Sequence, residues 1–95
     1  MLFVITAFDR PGALDKRLEV RPRHLDYLNS RIAQIKAGGA MLNQNDEPMG
    51  SMLIIEAEDQ AAAEAFAAAD PFAKEGVFER VEVRPWRAVL GAWVG

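Results

Sequence analysis

His24 is the only histidine of this 95-residue chain, which contains no cysteine. Imidazole is thus the one side chain here whose ordinary pKa lies near neutrality, and proton transfer at ordinary pH falls to it first. It stands in Arg21-Pro22-Arg23-His24-Leu25. A second unusual cluster, Asp70-Pro71-Phe72, directly follows an alanine-rich run. A carboxylate there meets the negative end of the preceding helix dipole, the wrong end for stability. Each cluster also has a plainer reading: a histidine that fills space, and an Asp-Pro step that opens a turn where proline ends the helix anyway.

Arg17, Arg21 and Arg84 have the chemistry to hold a carboxylate or phenolate through charge-assisted hydrogen bonds, or to sit on solvated faces. Ser51, after Gly50, offers a hydroxyl and a backbone amide at a pocket edge, or is ordinary loop chemistry ahead of a strand. Phe72 is a candidate substrate contact, although Phe72, Phe78 and Trp86 more readily serve a core or a dimer interface. No glycine-rich phosphate loop or nucleophile elbow is present. Without cysteine there is no thiolate zinc site, and one histidine with carboxylates is weak support for any metal; neither metal nor cofactor is expected.

These groups need a scaffold, and the length allows one domain spanning residues 1–95. Half the residues are hydrophobic (51%), ample for a core in a chain of this size. The formal charge of −3 and the lack of a basic stripe argue against a nucleic-acid partner. Zero cysteines fit a reducing cytoplasm. The apolar start Met1-Leu2-Phe3-Val4-Ile5-Thr6-Ala7-Phe8 lacks a basic leader and is too short to span a bilayer, so it reads as a strand of an unprocessed, soluble chain.

Leu2 to Phe8 and Met52-Leu53-Ile54-Ile55 are continuous apolar runs of the kind found in strands buried on both faces. Two helices can cover only one face of such a sheet, so a partner subunit is the simplest cover for the other. Between them, Leu14 to Ala37 is mostly helical, with Asp15 capping an opening turn. Pro22 disfavours helix at Arg21, which starts the main helix at Pro22 and puts His24 in its first turn, where the dipole favours neutral imidazole. Gly38-Gly39 either stops that helix or lies within a strand spanning Ile32 to Leu42. Asn43 to Gly50 is a turn-rich loop; Asp59 caps a helix over Gln60 to Ala69; Val81, Val83 and Pro85 alternate with charges in a half-exposed strand running through Trp86. The apolar tail from Ala88 to Val94 is expected to pack on something. The order strand, helix, strand, strand, helix, strand is that of a ferredoxin-like βαββαβ, an α+β fold with an antiparallel sheet and two helices on one face.

Read together, Met1-Leu2-Phe3-Val4-Ile5, Lys16-Arg17, Arg21-Pro22-Arg23-His24-Leu25, Gly50-Ser51, Ala69-Asp70-Pro71-Phe72, Gly76-Val77-Phe78 and Val81-Glu82-Val83-Arg84-Pro85-Trp86 resemble the YciI-like (YCII-related) family over nearly the whole chain. The resemblance implies a ferredoxin-like subunit assembled as a dimeric α/β barrel, and a His24–Asp70 pair as the candidate active site. It also implies a strand at Gly38-Gly39 with the helix ending near Arg31. The family commonly has Ala-Gly-Pro where this chain reads Gly38-Gly39-Ala40, a departure that alters one pocket wall. Some relatives are degradative enzymes, including a dehydrochlorinase of chlorinated hydroxyquinols, so fold transfers better than reaction. The expectation is a cytoplasmic homodimer paired through its open sheet face, with His24 and Asp70 catalytic and Arg17, Arg21, Ser51 and Phe72 binding a small cyclic or aromatic acid for elimination or isomerisation. The alternative is a non-catalytic ligand-binding or accessory dimer.

Overall fold

In the computed structural model, which describes residues 1–94, the apolar N-terminal run forms β1 (Leu2–Asp9). It is followed by α1 (Leu14–Ser30), a 3-10 turn (Ile32–Gln34), β2 (Ile35–Leu42), β3 (Pro48–Glu56), α2 (Gln60–Ala69), the one-turn α3 (Pro71–Lys74) and β4 (Phe78–Pro85). All pairings are antiparallel, in the order β2-β3-β1-β4, with the helices on one face. This is the α+β ferredoxin-like arrangement, the subunit fold of dimeric α/β barrels.

The alternation of a strand sorts β1 into two sets. Phe3, Ile5 and Ala7 are buried beneath the helices, whereas Leu2, Val4, Thr6 and Phe8 are only half-buried on the other side. The strand is therefore not buried on both faces within the chain. Met52 is exposed and Ile54 half-buried beside Thr6 and Val4, extending an open apolar face. The Arg80 guanidinium lies 4.4 Å over the Phe8 ring.

Under the helices the core has two parts. Phe3, Ile5, Leu53 and Ile55 pack on Ala63, Phe66 and Ala67 of α2, which explains the alanines: small side chains bring that helix close to the sheet. A second cluster joins Ala7, Val20, Phe72, Val77 and Phe78, tying α1 and α3 to the far end of β1. Asp59 caps α2 as its sequence position predicts, accepting from the Ala62 N–H at 2.8 Å. Gly50 is required where β3 crosses β1, since a Cβ there would fall 2.4 Å from the Ala7 carbonyl oxygen.

The first helix departs from expectation. It starts at Leu14, not at Pro22, and is continuous through the proline. Pro22 is exposed, and the carbonyl it leaves without a helical donor belongs to half-exposed Leu18, on the solvent side of the helix. Packing of Arg17, Val20 and His24 holds both sides of the proline in one helix. Asp15 lies in the first turn, but the N-cap is Ala13, with no side-chain cap bond. The helix ends at Ser30 with Arg31 as its C-cap, and Gly38-Gly39 lies within β2. Strand β4 stops at Pro85, although the Trp86 N–H still donates to the Leu2 carbonyl. The tail does not pack on the rest of the chain: Val89, Leu90 and Trp93 are 71%, 84% and 92% exposed. Among the described residues no helix is long and apolar enough to cross a membrane.

Candidate active site

Helical spacing assembles one wall of the site. Arg17, Val20 and His24 recur at intervals of three and four along α1, so all three meet the protein interior. Arg21, Leu25 and Leu28 continue the stripe toward β2. His24 sits past the middle of α1, so the argument from the helix N-terminus does not apply to it.

Asp70 is placed by a break between two helices. Pro71 has no N–H to continue α2, and its fixed φ suits the first position of α3. Asp70 is thus at once the C-cap of α2 and the N-cap of α3, where a carboxylate is favoured. Its Oδ1 accepts from the Phe72 N–H at 2.9 Å and lies 2.8 Å from Nδ1 of His24. Both side chains are buried. A carboxylate only accepts, so Nδ1 carries the hydrogen, and in the neutral ring Nε2 keeps its lone pair. Nε2 has no hydrogen-bond partner among the described residues, and His24 lines the adjoining cavity.

Phe72 connects this pair to the arginine. The His24 ring stacks on it at 3.8 Å between centroids and 15° between planes, and Phe78 meets it edge-on. The Arg17 guanidinium lies 4.5 Å from the same ring centroid. Its Nη1 donates to both Asp9 carboxylate oxygens at 2.8 and 3.0 Å, and its Nη2 to Ser51 Oγ at 2.8 Å. Burial raises the Asp9 carboxyl above its ordinary range, and the charge and hydrogen bonds of Arg17 act against that shift.

The cavity has a volume of about 350 Å³ and lies between α1 and the β2–β3 edge of the sheet. Its floor is Gly38-Gly39-Ala40, where β2 presents almost no side chain. A Cβ on Gly38 would come within 3.2 Å of the Leu53 side chain. His24, Arg17, Arg21, Ser51 and Phe72 all line this space, and Asp70 stands behind His24. Arg21 is exposed and forms no ion pair among the described residues, unlike Arg17, whose two terminal nitrogens are both engaged. Arg84 lies elsewhere, paired with Glu82. Sequence does not single out Asp9, since nothing in its spacing marks it as the partner of Arg17. Among the described residues no cluster of three His, Asp or Glu side chains is placed to hold a metal ion.

The family described as the YCII-related domain matches residues 1–87. Among curated proteins, the chain is 39% identical to Protein YciI of Escherichia coli O6:H1, over 95% of this chain and all of that one. It is 35% identical, with the same coverage, to an uncharacterized protein of Haemophilus influenzae. Among solved structures, 5-chloro-2-hydroxyhydroquinone dehydrochlorinase (TftG) from Burkholderia phenoliruptrix, in complex with 2,5-dihydroxybenzoquinone, superposes with a TM-score of 0.85 at 38% identity, covering 92% of this chain and 94% of that one. An antibiotic biosynthesis monooxygenase, at TM-score 0.55 and 24% identity over 95% of this chain and all of that one, shares the fold alone.

Proposed function

Because the chain belongs to the YCII-related family, we propose that it is a cytoplasmic homodimeric acid–base catalyst acting on a small cyclic or aromatic acid. One observation carries this reading: Nδ1 of His24 is tied to Asp70, while Nε2 is left without a partner at a cavity that also holds the unpaired Arg21. His24 is the base, Asp70 orients the ring and stabilises the imidazolium, and Arg21 holds the anionic group of the substrate.

The step needs neither nucleophile nor cofactor. Nε2 takes a proton from a carbon activated by a neighbouring carbonyl. The electron pair left behind forms a carbon–carbon double bond as a leaving group departs with its own pair, or the proton returns to a different carbon. Those are elimination and isomerisation. A volume of about 350 Å³ suits a single substituted ring. The similar dehydrochlorinase is named for a ring substrate that carries chlorine and ionisable hydroxyls, which supports this substrate class. The open face with Val4, Phe8, Met52 and Ile54 is where two subunits pack sheet to sheet.

The test follows 5-chloro-2-hydroxyhydroquinone and a panel of unchlorinated cyclic acids, with chloride release and carbon-bound deuterium exchange as readouts. Wild type turns over or exchanges at least one of them, and His24→Ala abolishes that while ligand binding is retained. Turnover in His24→Ala equal to wild type would refute the assignment of the base. Binding without any turnover in wild type would favour the accessory, ligand-binding dimer.

A further inference from the structure

We propose that the β2 end of the cavity is a separate, apolar subsite. Its ligand is a ring whose acidic end lies at His24 and Arg21 and whose far side carries an apolar substituent. The inference rests on the acid–base reading of the same cavity and narrows its substrate class.

Burial divides the lining into two parts. His24 and its polar neighbours are buried, whereas Leu25, Leu42 and the Gly38-Gly39-Ala40 backbone are exposed and Leu28 and Pro48 half-buried. Apart from Arg21, this second part offers only apolar side chains and bare strand. Leu25 and Leu42 are 42% and 56% exposed. A single exposed leucine is ordinary, but these two line one cavity, the first from α1 and the second from β2. A ligand that reaches them takes both out of water along with its own apolar surface.

Local structure builds the subsite. Leu25 follows Arg21 by one helical turn and Leu28 follows Leu25 by three residues, so the three share a stripe of α1. On β2 the register shifts between Met41 and Leu42, which sets Leu42 opposite Pro48. Gly38 and Ala40 stand opposite the buried Leu53 and Ser51, in the row of β2 that faces the helices. Over these two positions the row carries one methyl group. Gly38 keeps this shelf low: a Cβ there would stand 3.2 Å from Leu53, which packs with Phe3, Ile5 and Ile55 and cannot retreat. A larger side chain would therefore grow into the cavity. Strand β2 is the outermost of the sheet, so among the described residues no further strand walls off the shelf. A ring held at Nε2 and Arg21 thus has room for a substituent along it.

A series of phenols tests this without a known substrate. Phenol, 4-ethylphenol, 4-propylphenol and 4-butylphenol are titrated calorimetrically into wild type, Leu25→Ser, Leu42→Ser and Leu18→Ser. Leu18 is an exposed leucine of α1 outside the cavity lining, so its replacement controls for lost surface hydrophobicity. In wild type the affinity should rise about threefold to fourfold with each methylene buried. In Leu25→Ser and Leu42→Ser the loss should grow with chain length and reach about tenfold for 4-butylphenol. Leu18→Ser should keep the wild-type series. Equal binding of phenol and 4-butylphenol by wild type overturns the subsite and leaves the acid–base reading standing, as does an unchanged series in both cavity variants. If those variants keep the series but lower the molar mass in sedimentation equilibrium, the leucines face a second copy of the chain and the proposal falls. If wild type binds no member of the series, the acid–base reading falls with it.

Discussion

Asp70 serves two neighbours through one oxygen, and its replacement separates charge from geometry. Oδ1 accepts from the Phe72 N–H and faces Nδ1 of His24, with all three groups buried. Asp70→Asn leaves an amide oxygen in the same place, so it loses only the charge assistance, a cost of about 1 kcal/mol. Asp70→Ala removes the cap, worth about 1 kcal/mol, and strands the buried Nδ1–H at about 1–3 kcal/mol. One shared atom makes these terms less than additive, so their sum of about 2–4 kcal/mol is an upper bound. For a chain of this size the two variants should melt about 4–8 °C and about 10–25 °C below wild type. Urea unfolding at constant m-value gives the free energies, and a cycle with His24→Ala gives a coupling of about 1.5–3 kcal/mol. Ring ¹⁵N shifts add an independent reading: in wild type the neutral imidazole carries its hydrogen on Nδ1, and in Asp70→Ala the tautomers mix. Equal destabilisation by the two substitutions, or a coupling near zero, would show that Oδ1 does not hold the imidazole.

Three further outcomes follow from particular contacts. Gly50→Ala places a methyl group 2.4 Å from the Ala7 carbonyl oxygen, and separating β1 from β3 should cost about 3 kcal/mol or more, read by urea unfolding. Gly38→Val fills the cavity floor against Leu53 and should weaken ring binding at least tenfold, measured by calorimetry with 4-nitrophenol, while His24 keeps its tautomer. Tyr27 donates its hydroxyl to the Phe66 carbonyl, an α2 end group, at 2.8 Å. Burial raises its pKa above 10, opposed by Arg31 and reinforced by Asp70. Above pH 10 the unfolded chain loses this proton before the folded one, so stability present at lower pH declines as the folded phenol also ionises. Tyr27→Phe should cost about 1 kcal/mol at neutral pH and flatten the alkaline decline in melting temperature.

What the residues alone determined follows from local physics. Apolar runs, turn residues and an Asp59-capped alanine segment specify strands and a helix through short-range preferences, and their order selects the βαββαβ fold. The lone histidine and the Asp-Pro-Phe step marked themselves by chemistry, and the resemblance coupled them before any distance was known. Other features needed the assembled chain. Pro22 looked like a helix start because the preference of the residue before proline is local; packing of Arg17, Val20 and His24 on one stripe overrides it. Asp70 looked misplaced at the end of α2 because a four-residue second helix leaves no periodic signal, yet that helix makes it an N-cap. The alternating burial of β1 likewise emerged only when helices covered one side. Arg17 and Arg21 are alike in sequence; they part because Asp9, Ser51 and Phe72, distant along the chain, close around the first and leave the second open. Which arginine is committed and which is available is a long-range electrostatic fact, decided by tertiary structure alone.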